Sequence, residues 1–270
     1  MLAAQRQAHI LEQIRQHRGV RVAELARDLG VSDMTIRRDL DALARQGLLD
    51  KVYGGATAPG LGSTDEPGFE AKSLRERAEK DVIAATEATL VRAGTAVGLS
   101  AGTTTWTLAH HLLDVPGITV VTNSVQVADV LHSGGRADQT VVLTGGIRTP
   151  SGALVGPVAV AALRSLNLDL VIIGVHGMEE TSGFTTPNLM EADTDRALIG
   201  AGRRLMVVAD RTKWGVVGIS TIARLEDADV LVTDGGLDER ARAVLRERVG
   251  QLMLAPLAPL APRRGRVAAS

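Results

Sequence analysis

The stretch that decides how the chain begins is VAELARDLGVSDMTIRRDLDAL, residues 22–43. Val22, Leu25, Ala26 and Leu29 recur at helical spacing, and Gly30 ends the repeat. Ser32 then stands as an N-cap, and Ile36, Leu40 and Leu43 mark the buried stripe of a second helix. Arg37, Arg38 and Asp41 are left toward solvent. A short helix, a tight Gly30-Val31-Ser32 turn and a longer helix is the layout of a helix-turn-helix. In that layout the first residues of the second helix face base edges in the major groove. Here they are Asp33, Met34, Thr35, Arg37 and Arg38. Arginine donates two hydrogen bonds to guanine or grips phosphate, and Thr35 can do either job. Asp33 suits a helix N-terminus but repels phosphate, so it is expected to face a base or solvent.

Two arginines on one helix more often form a solvated face than a DNA contact. The flanking sequence reverses that balance. Upstream, residues 4–17 place Ile10, Leu11 and Ile14 on one helical face, with Gly19 as a stop. Downstream, LLDKVYGGA (48–56) reads as two short strands around a turn. Charge agrees without deciding anything, since residues 1–57 carry nine basic against seven acidic side chains and the whole chain is net −1.

Residues 57–68, TAPGLGSTDEPG, read as a linker, and about 71–92 as one charged helix that offers an assembly surface. From Thr95 the pattern changes to short apolar runs between helical segments: TAVGL (95–99), ITVVT (118–122), TVVLT (140–144), DLVIIGV (169–175), RLMVVA (204–209) and DVLVT (229–233). Continuous apolar character predicts strands buried on both faces, and alternation with helices predicts a mostly parallel sheet. The expected organisation is a DNA-binding domain over 1–57, a linker over 58–70, a sensing and oligomerisation domain over 71–252, and a disordered Pro-rich tail over 253–270.

Composition closes several routes. The 270 residues contain no cysteine, which removes disulfides, thiol catalysis and cysteine zinc sites. Only Tyr53, Phe69, Trp106, Phe184 and Trp214 are aromatic, so cores must be aliphatic. MLAAQRQAHI turns charged too early for a signal peptide, and no apolar run is long enough to span a bilayer. A cytoplasmic protein with no membrane contact is expected.

The strongest small-molecule signal is LSAGTTTWTLAHHL, residues 99–112. A strand ending at Leu99, a small-residue loop and a helix starting near Thr104 present backbone amides and threonine hydroxyls to an anion. Neither a Walker A loop nor a G-x-G-x-x-G fingerprint is present, and no cofactor is expected. Further pieces fall where strands should end: Thr122-Asn123-Ser124, Gly145-Gly146 with Arg148, Gly174 to Gly177 with His176, and DRTKWG (210–215) with Lys213. In a parallel sheet such loops converge, with Arg148 and Lys213 as cations facing a phosphate.

The N-terminal motif, VAELARDLGVSDMTIRRDLDAL followed by GLLDKVYGGA, closely resembles the winged helix of the DeoR family of bacterial repressors. The resemblance implies that Ser32, Thr35, Arg37 and Arg38 contact DNA, and that Lys51, Tyr53 and Gly54 on the wing touch its backbone or minor groove. Tyr53 packing into the domain's own core is an equal alternative. GTTT (102–105), VVTNS (120–124), Gly145-Gly146, Glu191 in MEADTDRA and the D-x-x-K-x-G of 210–215 resemble the family's sensor domain, which brings the whole resemblance to about residues 5–250. That domain is similar in fold to ribose-5-phosphate isomerase and typically answers to phosphorylated sugars. By position this implies Gly102, Thr103 and Thr104 for phosphate, with Thr122, Asn123, Ser124, Gly146 and Lys213 lining the site. Thr105 joins that loop. Ser100 departs from the pattern, which commonly has an acid there, and His176 is not part of it.

The expected function is therefore a DNA-binding regulator, a repressor of a carbohydrate operon relieved by a sugar phosphate and acting as a homodimer or homotetramer. One alternative is an isomerase acting on sugar phosphates, using Glu191, Asp210 and Lys213. Asp210 reads better as a cap on its turn, and Glu191 as an anchor of a helix N-terminus or of the dimer surface. The other alternative is a DNA-binding protein with a degenerate sensor.

Overall fold

The structure is a computed structural model that describes residues 3–17, 19–45, 48–52, 55–57, 68–134 and 136–256. The chain divides into two units, residues 1–65 and 66–270.

The first unit opens with α1 (Ala3–His17), β1 (Gly19–Arg21), α2 (Val22–Leu29) and α3 (Asp33–Arg45). Strands β2 (Asp50–Val52) and β3 (Gly55–Thr57) complete it. Ile10, Ile14, Leu25, Ile36, Leu40 and Leu43 meet in one core, so each helix buries the stripe that its spacing predicts. Gly30 turns the chain with φ of +62°, a conformation that costs other L-residues roughly 1–2 kcal/mol. The Val31 N–H donates to the Ala26 carbonyl and closes α2. The expected hairpin is a three-stranded antiparallel sheet in the order β1-β3-β2, because Gly19 pairs with Thr57 instead of merely ending a helix.

The second unit begins with α4 (Phe69–Ser73) and α5 (Arg77–Ala88), so the expected linker over 58–70 ends inside a helix. The single helix expected over 71–92 is also broken. Glu76 adopts left-handed backbone angles, and the Lys80 ammonium donates to the carbonyls of Lys72 and Arg75, satisfying the end of α4. The inner face of α5 is buried through Ile83 and Ala84, while Arg77, Asp81 and Ala85 on its outer face are exposed.

The chain continues through β4 (Ala96–Leu99), α6 (Thr103–His111), β5 (Thr119–Thr122), α7 (Val125–Ser133) and β6 (Thr140–Leu143). A small hairpin, β7 (Ile147–Arg148) and β8 (Leu154–Val155), leads into α8 (Pro157–Arg164) and β9 (Leu170–Gly174). Then come β10 (Gly177–Glu179), β11 (Gly183–Thr186), α9 (Leu189–Ala201), β12 (Leu205–Val208) and β13 (Ser220–Ala223). Last are β14 (Val230–Asp234), α10 (Glu239–Arg248) and β15 (Leu252–Ala255).

Seven strands form one sheet in the order β15-β14-β12-β9-β4-β5-β6, and every pairing in it is parallel. All six apolar runs are in it. The seventh strand, β15, carries the folded unit to Ala255, past residue 252 where the tail was expected. Its LMLA pairs with β14 and so belongs to the sheet, not to the Ala/Pro run that follows. β6 departs from burial on both faces: it is an edge strand, and Val142 and Leu143 are exposed. β10, β11 and β13 form a separate antiparallel sheet with no apolar run to announce it.

Two cores flank the large sheet. Ile83, Leu108 and Val127 from α5, α6 and α7 pack on one face. Leu163, Leu198 and Leu245 from α8, α9 and α10 pack on the other. Among the described residues no helix is long and apolar enough to cross a membrane.

Candidate DNA interface and effector site

In α3 the N-cap is formed as its sequence predicts, with the Thr35 N–H donating to the Ser32 hydroxyl at 3.3 Å. Ser32, Asp33, Met34, Arg37 and Arg38 are exposed and Thr35 is half-buried, so one end of the helix presents this set to solvent. Asp41 is half-buried. Asp39 lies on the buried side, where its carboxylate accepts from the Arg6 guanidinium and from the Gln7 amide at 3.2 Å. That ion pair ties α1 to the helix carrying the exposed arginines. Lys51 lies in β2 opposite Ala56. Tyr53 and Gly54 lie outside the described residues.

In the second unit the chain enters the sheet at β4, adds β5 and β6 on one side, then crosses back to lay β9, β12, β14 and β15 on the other. The strand order reverses between β4 and β9, and ligands of parallel α/β sheets bind in the crevice at such a point. The Gly174 N–H there donates to the Ser100 hydroxyl at 3.0 Å. Directly above, the first bond of α6 runs from the Trp106 N–H to the Gly102 carbonyl. The amides that precede it have no place in the helix ladder, and no side chain caps this N-terminus. Thr103 and Thr104 flank it. Amide donors, hydroxyls and the positive end of the helix dipole are the chemistry that suits an anion, which makes this loop the candidate cradle.

Other expected site residues prove to be the frame of the cradle. The Thr105 hydroxyl is fully buried and donates to the Ser100 carbonyl at 2.7 Å. The Thr122 hydroxyl donates to the Leu99 carbonyl at 2.8 Å and accepts the Ser124 N–H. Ser124 caps α7 by accepting the Val127 N–H. Asn123 is a clamp: its Oδ1 accepts the Ala101 N–H at 2.8 Å, and its Nδ2 donates to the Leu154 carbonyl at 3.2 Å. Gly146 has φ of +124°, and a Cβ there would lie 2.5 Å from the Val155 carbonyl oxygen, so only glycine fits. Arg148 is exposed on β7. His176 is half-buried, its N–H donating to the Thr185 carbonyl. Lys213 is half-buried in the turn after β12, which Asp210 caps by accepting the Thr212 N–H at 3.0 Å.

Two further networks surround the cradle. Glu191, in the first turn of α9, accepts from the hydroxyls of Thr149 at 2.8 Å, Thr186 at 3.3 Å and Ser151. It thereby pins the loop between β7 and β8. Arg211, two residues before Lys213, reaches Glu79 at 2.9 Å, Glu76 at 3.2 Å and Asp234 at 3.6 Å. Against the effect of burial, the bond from Arg211 holds the Glu79 carboxyl below its ordinary value, while burial outweighs Arg211 and raises Glu76. A separate groove of about 860 Å³ lies between α8 and α9 and contains none of the cradle residues.

Comparison with known proteins converges on the same two parts. Residues 75–235 match the family described as the DeoR C terminal sensor domain, and residues 6–60 match the DeoR-like helix-turn-helix domain. The chain belongs to the DeoR family of transcriptional regulators. This DeoR-family chain is 35% identical over 255 residues to the HTH-type transcriptional regulator YgbI of Escherichia coli, across 94% of this chain and 98% of that protein. It is 35% identical over 243 residues to the HTH-type transcriptional regulator GlpR of Haloferax volcanii, across 90% and 94%. It is 31% identical over 255 residues to the glycerol-3-phosphate regulon repressor of Escherichia coli, across 94% and 100%. Ribose 5-phosphate isomerase A from Neisseria gonorrhoeae is a remote likeness in structure, with 15% identity, a TM-score of 0.37 and coverage of 50% of this chain and 52% of that one.

Sequence reading of this DeoR-family chain missed Asp39, Arg211 and the hydroxyls around Glu191. Asp39 carried a usable signal, since it falls three residues after Ile36 and on the apolar stripe. Arg211 and the Thr149–Ser151 pair carried none, because their partners are far away in sequence.

Proposed function

We propose that this DeoR-family chain is a repressor of a carbohydrate-metabolism operon that binds operator DNA through α3 and the β2–β3 wing and releases it on binding a phosphorylated sugar. The observation that carries the effector half is the uncapped N-terminus of α6, placed at the β4/β9 crevice and flanked by Thr103 and Thr104. Arg148, exposed on β7, and Lys213, in the turn after β12, are the cations this reading assigns to the phosphate. The printed function of the Escherichia coli relative, a glycerol-3-phosphate regulon repressor, supports an effector of this class. The protein uses no cofactor, carries out no reaction and works in the cytoplasm as a homodimer or homotetramer, since two linked reading heads multiply operator affinity. The isomerase reading loses its acids: Asp210 caps its turn, and Glu191 is occupied by three hydroxyls.

A phosphate drawn toward Lys213 shifts the turn that also holds Arg211, and Arg211 grips Glu76 and Glu79 where the chain enters the second unit. A coupling of about 1–3 kcal/mol, roughly 5–150-fold in DNA affinity, is enough for control. Thr103→Asp tests the cradle by putting a negative charge where the phosphate belongs. That variant is expected to bind operator DNA normally, to ignore sugar phosphates, and to show no thermal stabilisation by inorganic phosphate. A normal response to sugar phosphates would put the phosphate site elsewhere.

A further inference from the structure

Beside the cradle lies a carboxylate that no hydrogen bond accounts for. Asp195 is only 8% exposed, on the inner face of α9 with Ala192, Thr194 and Leu198. Its neighbour Thr194 is satisfied by the Met190 carbonyl at 2.9 Å, and Glu191 by three hydroxyls, whereas among the described residues none donates to Asp195. Glu87 is also a buried acid without a partner among the described residues, but both its oxygens are sealed from solvent, whereas Asp195 keeps 8% of its surface exposed.

Register places Asp195 next to the crevice. A Cβ on Gly98 would meet Leu198 Cδ1 at 2.8 Å, so this face of β4 lies under α9. Ser100, two residues farther along the chain, points to the same face, as does Asn123 two residues past Val121. The C-terminal end of α9 lies at the amino ends of the strands, because the Leu168 N–H donates to the Ala201 carbonyl. The helix therefore runs against β4. One turn back from Leu198, about 4.5 Å, brings Asp195 to the level of Ser100. Burial, reinforced by the charge of Glu191, raises the Asp195 carboxyl well above its ordinary range. A buried carboxyl without donors is destabilising unless something else supplies them.

We infer that Asp195 is a specificity residue of the effector site, where it accepts hydrogen bonds from the hydroxyls of a phosphorylated polyol or sugar whose phosphate sits on the α6 N-terminus. The inference rests on the proposed phosphate cradle and assigns the other end of the ligand. The hydroxylated end lies over the Ser100–Gly174 junction, between Asn123 and α9. A ligand with no hydroxyls beyond its phosphate gains nothing from Asp195.

The test uses the full chain and two kinds of probe. Inorganic phosphate reports the cradle alone. Glycerol 3-phosphate, ribose 5-phosphate, fructose 1-phosphate and glucose 6-phosphate report the cradle plus hydroxyl recognition. In the wild type at least one sugar phosphate is expected to bind more tightly than inorganic phosphate by calorimetry. Asp195→Asn and Asp195→Ala are expected to remove at least about 10-fold of that advantage. They should leave inorganic phosphate within about 2-fold and leave the ligand-free Tm unchanged or higher. An advantage kept in full by both variants overturns the assignment, as does a parallel loss for both probes with a lowered Tm, which would mark a structural residue. Absence of any preference over inorganic phosphate in the wild type also overturns it. A wild type that binds neither probe overturns the cradle itself, an outcome distinct from the other three.

Discussion

Glu87 faces the sheet from α5 with both carboxylate oxygens buried and unpartnered, and burial raises its carboxyl well above the ordinary 4.5. A group that holds its proton more tightly when folded contributes stability that is full below about pH 4.5 and is lost as pH climbs toward and through the folded value. Glu87→Gln is therefore expected to flatten the fall in Tm as pH rises above about 4.5. Glu87→Leu should raise stability near neutral pH by about 1–3 kcal/mol, since a leucine there needs no hydrogen bond. Asp195 shifts in the same direction, so each variant is compared with the wild type across the whole pH range. An unchanged slope in the Gln variant would show that Glu87 titrates alike in the folded and unfolded chain. At this scale the sequence was legible where a residue acts through its own neighbours, as Ser32 does in capping α3 and Asp210 in capping its turn. It was opaque where the partner is far away, as with Asp39 and Arg6, 33 residues apart, or Glu191 and Thr149, 42 apart.

Among elements, α2, the Gly30 turn and α3 were readable because a 3.6-residue repeat, a glycine and a capping serine all point the same way. The six apolar strands were readable because a strand covered on both faces has little room for polar side chains. The antiparallel sheet of β10, β11 and β13 was not, because GFTT and STIA owe their pairing to backbone partners rather than to an apolar run. The break between α4 and α5 was hidden too, since it depends on Lys80 turning back onto the carbonyls of Lys72 and Arg75. The strand-loop-helix at Leu99–Thr104 was legible in the sequence, but the hydroxyls of Thr105, Thr122 and Ser124 bond within the protein frame. Arg211 joins the β12 turn to Glu76 and Glu79. Arg211→Met is expected to leave sugar-phosphate affinity within about 3-fold while pulling the effector's influence on DNA affinity from the roughly 5–150-fold range toward none. Calorimetry and DNA titration on the same preparation check it. A full effector response would place the coupling elsewhere.

In the whole molecule one chain joins a reading unit to a sensing unit. The two units exchange free energy through it. Each unit has its own core, so operator binding and effector binding can fail separately, and a defect in one is not a defect in fold. Family membership establishes the regulator; the reversal of DNA binding by a sugar phosphate is what makes the second unit a sensor. The most direct measurement is fluorescence anisotropy of the full chain on duplex DNA from beside its own gene, at fixed salt, with and without the sugar phosphates named above. The account predicts saturable binding, tighter than to a scrambled duplex and weakened by Arg37→Ala, that at least one sugar phosphate reverses by about 5-fold or more. Specific binding that no sugar phosphate changes, in a protein whose Tm those same compounds raise, would contradict it.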